Sequence, residues 1–141
     1  MRARVVLPVV LALYGALLVA IVVAANLGGT NEVFHVVTRI PYGDKVAHFG
    51  LIGLLAMLVD LVAGRRDLRL GRLRVPLAPA VLFVVVLGEE LSQAFLPTRT
   101  CDAIDLLADA LGMATFVSLG RRVAATFLPC ASGGSPSPQR S

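Results

Sequence analysis

Four long apolar stretches constrain what this chain can fold into more than any other feature. The first, Val5–Ala25, carries no charged residue. The hydrocarbon core of a bilayer is about 30 Å thick, and a helix of roughly 20 apolar residues crosses it. Of the 141 residues, 57% are hydrophobic, and a soluble domain this small would leave much of that apolar surface in water. The sequence therefore predicts an integral membrane protein.

The boundaries of the other stretches follow from turn and cap residues. A Pro41-Tyr42-Gly43 turn precedes the second stretch, with Asp44 as its expected N-cap, while Pro76 precedes the third and Pro97 ends it. The predicted spans are Val5–Ala25, Asp44–Gly64, Leu77–Leu96 and Asp102–Leu119, the last closed by Gly120-Arg121-Arg122. We expect an all-α fold: a four-transmembrane-helix bundle over residues 1–128, then a disordered cytoplasmic tail over residues 129–141, rich in Ser, Gly and Pro.

The first stretch has a second interpretation. A basic start before an apolar run that ends in Val23-Ala24-Ala25 is also typical of a secretory signal peptide. The run is longer than the roughly 7–15 residues of a signal-peptide core. We therefore expect it to stay as a helix, whereas cleavage after Ala25 would give a shortened N-terminus by mass spectrometry.

Basic residues are unevenly distributed between the two sides of this arrangement. Ten of the thirteen fall on one side, five of them between Arg65 and Arg74, and only Arg39, Lys45 and Arg99 fall on the other. Cytoplasmic loops are enriched in Lys and Arg, so both termini are expected in the cytoplasm. Arginine makes up twelve of the thirteen, and this bias, with abundant Ala, Val, Gly and Leu, is typical of GC-rich bacteria. We expect the bacterial cytoplasmic membrane.

The net charge of +4 does not indicate a nucleic-acid partner. The arginines lie in short groups between apolar segments, and aromatic residues make up only 6% of the chain, whereas nucleic-acid-binding surfaces combine a basic face with stacking rings. We interpret Asp60, Asp67 and the arginines near them as a solvated cytoplasmic surface. The lipid bilayer is the expected partner of the helices, and oligomerisation stays open.

Polar residues concentrate where the second, third and fourth helices meet the outer surface. Residues three or four apart share a helix face, which groups Asp44 with His48 and places either Glu89 or Glu90 beside Gln93. Three aspartates on the fourth helix lie in one stripe by the same rule. The predicted binding residues are Asp44, Lys45, His48, Glu90, Gln93, Arg99, Asp102, Asp105 and Asp109.

This cluster is costly, because an ionisable side chain at the centre of a membrane helix opposes insertion by roughly 2.5–3.5 kcal/mol. Asp109, roughly 10 Å into its helix, needs a partner or a hydrated cavity. Either basic side chains neutralise some carboxylates, or some carboxyls stay protonated. A purely structural interpretation is also open, in which Asp44 caps a helix and His48 joins helices by bonding Glu90 or Asp105.

Three blocks of these residues, in this order, resemble the VanZ-like family of small bacterial membrane proteins: Asp44-Lys45-x-x-His48-Phe49, Glu90-x-x-Gln93 and Arg99-x-x-Asp102-x-x-Asp105-x-x-x-Asp109-x-x-Gly112. The resemblance covers most of residues 5–122. It departs at Asp109, where the family pattern usually has asparagine, which either adds a charge or requires a protonated carboxyl. The resemblance implies an outward-facing site and, in some members, reduced susceptibility to the glycopeptide teicoplanin. It implies no reaction.

Two functions from different classes are consistent with this pattern. The first is a protein whose outer cluster binds a glycopeptide, or the lipid-linked envelope component that the drug targets. The second is a membrane-embedded enzyme acting on an anionic envelope lipid or lipid-linked cell-wall precursor. Its candidate catalytic residues are His48, Glu90 and Asp105, with Lys45 and Arg99 holding the anionic headgroup. We prefer binding.

No metal or other cofactor is expected. His48 with Asp44, Glu90 and Asp105 offers nitrogen and oxygen ligands, but the cluster contains no second histidine and no recognised metal-binding spacing. A nucleophilic pair of Cys101 with His48 has no supporting sequence context.

The two cysteines test the predicted orientation, because Cys101 falls in an outer loop and Cys130 beyond the last span on the inner side. They should not form a disulfide. We expect a membrane-impermeant maleimide to label Cys101 in intact cells and Cys130 only after lysis. Labelling of Cys130 alone in intact cells would invert the orientation and place the polar cluster in the cytoplasm.

Overall fold

The computed structural model describes residues 2–26, 40–95 and 102–127, which form four helices and one β-hairpin. Three segments, Val5–Ala25, Gly43–Val62 and Ala103–Thr126, are long and apolar enough to cross a membrane. The predicted predominance of helix is therefore confirmed. Arg99, Cys101, Cys130 and the tail lie outside the described residues. The elements are α1 (Arg2–Asn26), α2 (Gly43–Val62), β1 (Asp67–Leu70), β2 (Leu73–Pro76), α3 (Leu77–Gln93) and α4 (Ala103–Phe127).

Helices α2 and α4 form the centre of the structure and pack with their backbones in close approach. A Cβ atom added to Gly53 would lie 2.9 Å from the carbonyl oxygen of Gly112, and one added to Gly112 would collide with the carbonyl oxygen of Phe49. Beside this contact the rings of Phe49 and Phe116 meet edge to face, 5.8 Å between centroids. Small residues at a helix interface allow such an approach.

Apolar packing extends from this pair to α3 and α1. Ala56, Met113 and Val117 form a buried cluster between α2 and α4, and α3 packs against it with Leu82, Phe83 and Val86. Helix α1 is joined to α2 by the Tyr14 hydroxyl, which donates a hydrogen bond of 3.0 Å to the carbonyl oxygen of Leu51. Most of the remaining valines and leucines of α1 are exposed, so the helix is apolar around most of its surface, a property of membrane spans and of buried helices.

Helix α3 runs opposite to α2 and α4. Its first residue, Leu77, donates a backbone hydrogen bond of 2.9 Å to Arg66, just beyond the end of α2. Near its other end, a Glu90 carboxylate oxygen accepts a hydrogen bond of 2.7 Å from the backbone N–H of Asp102, at the start of α4. The 17 residues of α3 therefore extend along the bundle from one polar end to the other.

Three expected helix boundaries were wrong. Helix α3 ends at Gln93 and not at Leu96. Tyr42, in the left-handed conformation with φ 60°, occupies the N-cap position of α2, and Asp44 lies inside the first turn. A carboxylate in the first turn still interacts favourably with the helix dipole. Helix α4 does not close at Gly120 but continues to Phe127. Gly120 is a contact position rather than a helix end, because an added Cβ there would lie 2.5 Å from Cγ of Met57.

The all-α prediction also missed the antiparallel hairpin of β1 and β2, in which Leu70 pairs with Leu73 across a two-residue turn. Gly71 holds a φ of 62° in that turn, a conformation that glycine adopts without steric cost. Short strands that alternate Leu with Arg form a hairpin here, where only a basic loop was expected.

The close approach of α2 and α4 predicts that Gly112→Ala and Gly53→Ala each lower the free energy of unfolding by about 1–3 kcal/mol, because overpacking forces helices apart. Thermal unfolding of the purified protein in mild detergent, followed by circular dichroism, measures this. Gly50→Ala is the matched control, since nothing lies within 4 Å of a Cβ added there. Equal behaviour of the three variants would contradict the close packing.

Candidate functional site

Lys45 joins the first turns of α2 and α4. Its ammonium nitrogen lies 2.7 Å from Oδ2 of Asp102 and 2.6 Å from Oδ1 of Asp105, both across the helix interface. A third carboxylate, that of Asp44, lies 2.9 Å away. An ammonium has three N–H donors, and three carboxylates receive them. Lys45 is thereby the electrostatic centre of this end of the bundle.

Asp102 performs two tasks at the start of α4. While Oδ2 accepts from Lys45, Oδ1 accepts a hydrogen bond of 2.9 Å from the backbone N–H of Ile104, an N-terminal cap. The Lys45 ammonium, and then the Ile104 N–H, hold the pKa of Asp102 below its usual range. Because its pKa is lowered, the ionised Asp102 carboxylate stabilises the fold at pH values above the usual pKa of aspartate. This stabilisation is lost as the pH falls through the lowered pKa.

His48 lies one turn further along α2 and pairs with Asp109. Its Nδ1 atom lies 3.1 Å and 3.3 Å from the two carboxylate oxygens. Asp109 is 1% exposed, whereas the His48 side chain is 27% exposed. Of the two outcomes expected for Asp109, a partner or a hydrated cavity, the structure shows a partner. His48 was expected to bond Glu90 or Asp105, and this expectation was wrong. Helices α2 and α4 run in the same direction and Lys45 lies opposite Asp105, so His48, one turn after Lys45, lies opposite Asp109, one turn after Asp105.

Helix α3 contributes two buried polar side chains, Glu90 and Gln93, each 3% exposed. Glu90 accepts from the backbone of Asp102, as described above, and Gln93 donates from Nε2 to Oε2 of Glu89 at 2.9 Å. Of the two glutamates predicted to lie beside Gln93, Glu89 is the one bonded through that atom. The other carboxylate oxygen of Glu89, Oε1, is buried and accepts no hydrogen bond from the described residues.

Eight of the nine predicted binding residues thus lie at one end of the bundle, and the ninth, Arg99, falls outside the described residues. The three candidate catalytic residues are in this group but have separate partners. His48 contacts Asp109, Glu90 contacts the Asp102 backbone, and Asp105 contacts Lys45. Within the described ranges, the catalytic candidates do not bond to one another.

The sequence interpretation missed a second ionic cluster at the opposite end. Arg121 donates from Nε and Nη2 to the two carboxylate oxygens of Asp60, both at 2.7 Å, and from Nη1 to Asp67 of β1 at 2.6 Å. Asp60 is 1% exposed, so its assignment to a solvated surface was wrong. A single carboxylate within an apolar helix needs a partner, and that signal indicated that Asp60 is paired but not with which residue.

Comparisons of this chain with protein-family models, curated proteins and solved structures return no match. The resemblance to the VanZ-like family therefore stays a prediction that rests on its three blocks of residues. In the part of the chain that the structure describes, no three His, Cys, Asp or Glu side chains are grouped so as to hold a metal ion.

The pairing of His48 with Asp109 predicts different outcomes for two substitutions. Asp109→Asn keeps an acceptor for the imidazole N–H and should change the free energy of unfolding by less than about 1 kcal/mol. Asp109→Leu removes the acceptor and should cost about 1–3 kcal/mol. Chemical or thermal unfolding in detergent measures both. If the asparagine variant loses as much stability as the leucine variant, an ionised carboxylate is required there.

Proposed function

We propose that the chain is a four-span protein of the bacterial cytoplasmic membrane with both termini in the cytoplasm. The contacts of α3 support this, since it begins beside the end of α2 and finishes beside the start of α4, and so extends between the same two ends of the bundle as these two candidate spans. Its 17 residues match the lower limit of roughly 17–25 residues for a transmembrane helix. The excess of arginine at the Asp60 end supports placing the Lys45 end outside.

We further propose that the outer end is a binding site through which the protein contributes to glycopeptide resistance, such as resistance to teicoplanin, or to homeostasis of the cell envelope. The single observation that carries this is that carboxyl groups outnumber basic groups among the described residues of this end. Among the described residues of this end, two groups can carry positive charge, Lys45 and His48. The carboxylates there are those of Asp44, Glu89, Glu90, Asp102, Asp105 and Asp109.

This surplus favours one class of ligand. Ionic groups inside a membrane protein are expensive unless they are paired. Among the described residues, six carboxyl groups lie at this end with one ammonium and one imidazole, more than contacts between helices require. Since Lys45 already bonds three carboxylates, it has no donor left for an anion. A ligand that presents an ammonium group, carried by a glycopeptide or by a lipid-linked envelope component, compensates the surplus in a medium where charges interact strongly.

The second candidate is an enzyme acting on an anionic envelope lipid or lipid-linked cell-wall precursor, and the geometry of His48 favours it. A carboxylate at Nδ1 orients an imidazole and stabilises its protonated form, as in hydrolase triads, and the ring is partly exposed. If the protein is an enzyme, His48 is the general base. The contacts of Lys45 argue against an enzyme, because all three of its N–H donors are bonded to carboxylates. Of the two residues expected to hold the anionic headgroup, only Arg99 would then remain.

The charge surplus predicts that Glu90→Gln weakens binding of an ammonium-bearing ligand. Glutamine keeps an oxygen to accept from the Asp102 N–H, so the fold should persist, while loss of one buried negative charge should lower affinity about tenfold, or roughly 1.4 kcal/mol. The measurement is binding of teicoplanin to purified protein in lipid nanodiscs. Asp67→Asn, which removes one carboxylate at the opposite end, is the matched control and should bind as the wild type does.

The same nanodiscs distinguish binding from catalysis when labelled envelope lipids replace the drug. If the protein is an enzyme, product should form and His48→Gln should reduce its rate by about 10²–10⁴-fold, with lipid affinity nearly unchanged. Product formation of this kind, together with the absence of saturable teicoplanin binding, would overturn the binding proposal. Saturable binding without product would exclude the enzyme for the lipids tested.

A further inference from the structure

The β-hairpin has no role in the outer site, and its position defines what it can contact. It follows α2 directly and leads into α3, so it lies where two helices of the bundle end. It is attached to the bundle by the contact of Asp67 with Arg121 and by the backbone hydrogen bond from Leu77 to Arg66. A two-stranded hairpin is at best marginally stable in water. A further contact surface would stabilise it.

The two faces of the hairpin differ in chemistry. Leu68 pairs with Val75, Arg69 with Arg74, and Leu70 with Leu73. Successive side chains of a strand point to opposite faces, so one face is entirely apolar and the other carries the arginine pair. The half of the apolar face next to the turn is not covered by the bundle: Leu70 is 57% exposed and Leu73 is 69% exposed, whereas Val75 is partly buried.

The basic face carries uncompensated charge. Five arginines lie between residues 65 and 74, and the single acidic residue among them, Asp67, is bonded to Arg121. In the described part of the chain no carboxylate pairs with Arg69 or Arg74. Like charges directly opposite each other on two strands are destabilising. A phosphate between the two guanidinium groups relieves this repulsion, because its oxygens match their paired donors.

We propose that the hairpin Asp67–Pro76 is a docking surface for anionic phospholipid. Its leucines enter the boundary between headgroups and acyl chains, and Arg69 and Arg74 hold the phosphate of an anionic lipid. The exposed apolar face identifies the source as a lipid rather than a soluble phosphate, because it lies beside the ends of two apolar helices. Amphipathic elements at membrane surfaces combine apolar insertion and cationic contacts in this way. The proposal does not depend on the function of the outer site.

The chain contains no tryptophan, which permits a direct test with the full-length protein. Leu70→Trp places a single fluorophore on the apolar face. The protein is reconstituted in vesicles of equal parts phosphatidylglycerol and phosphatidylcholine, prepared twice, with brominated acyl chains on one lipid or on the other. Quenching by each preparation reports which lipid lies next to the hairpin. Val46→Trp, on an exposed position of α2 at the opposite end, is the reference reporter.

We expect brominated phosphatidylglycerol to quench Trp at position 70 at least about twofold more than brominated phosphatidylcholine does. Each basic residue near an anionic membrane surface strengthens binding to that surface about fivefold. The reference reporter should show no such preference. Arg69→Gln with Arg74→Gln should abolish the preference, and lysine at both positions should keep most of it. Arg122→Gln, an exposed arginine near the same end, should leave it intact.

Three results would overturn the proposal. No quenching at position 70 by either lipid would place the hairpin in water. Equal quenching by both brominated lipids would show apolar insertion without recognition of the anionic headgroup. If the preference for phosphatidylglycerol persists after both glutamine substitutions, residues other than Arg69 and Arg74 cause it. Circular dichroism of each variant confirms that its helices are retained.

Discussion

The close approach of α2 to α4 is the constraint on which the other contacts depend. Gly53 and Gly112 allow the two backbones to meet, and only at that separation can side chains of α2 reach the carboxylates of α4. At one end Lys45 contacts Asp105 and His48 contacts Asp109, and at the other end Asp60 contacts Arg121. A wider interface would leave Asp60 and Asp109 buried without partners, and an unpaired buried charge is among the most destabilising features a protein can contain.

The two ionic clusters on this interface are not equivalent. At the Arg121 end the guanidinium contacts Asp60 through two parallel hydrogen bonds, a geometry that stabilises and orients a buried carboxylate. At the Lys45 end negative charge exceeds positive charge among the described residues. An ion pair of this kind is sufficient to hold helices together, whereas unpaired charge carries a cost that packing does not recover. The Lys45 end is therefore where a ligand has most to contribute.

Much of the cluster at the Lys45 end followed from helix periodicity. Spacings of three and four residues group Asp44 with His48, Asp102 with Asp105, and Asp105 with Asp109, because 3.6 residues make one turn. Individual partners did not follow, since they depend on the relative shift of two helices along their axes. A shift of one turn separates the expected contact of His48 with Asp105 from the observed contact with Asp109. Periodicity determines a face, and packing determines the partner.

The sequence by itself determined that this chain is mostly helical, apolar enough for lipid, and polar at the ends of its helices, because these properties depend on composition and local spacing. Only the tertiary structure decided that Asp60 is buried against Arg121, that α4 continues through Gly120, and that the arginine-rich segment forms a hairpin. These features depend on residues distant in sequence: a carboxylate is solvated or buried, and a glycine ends or continues a helix, according to the neighbour that packing supplies.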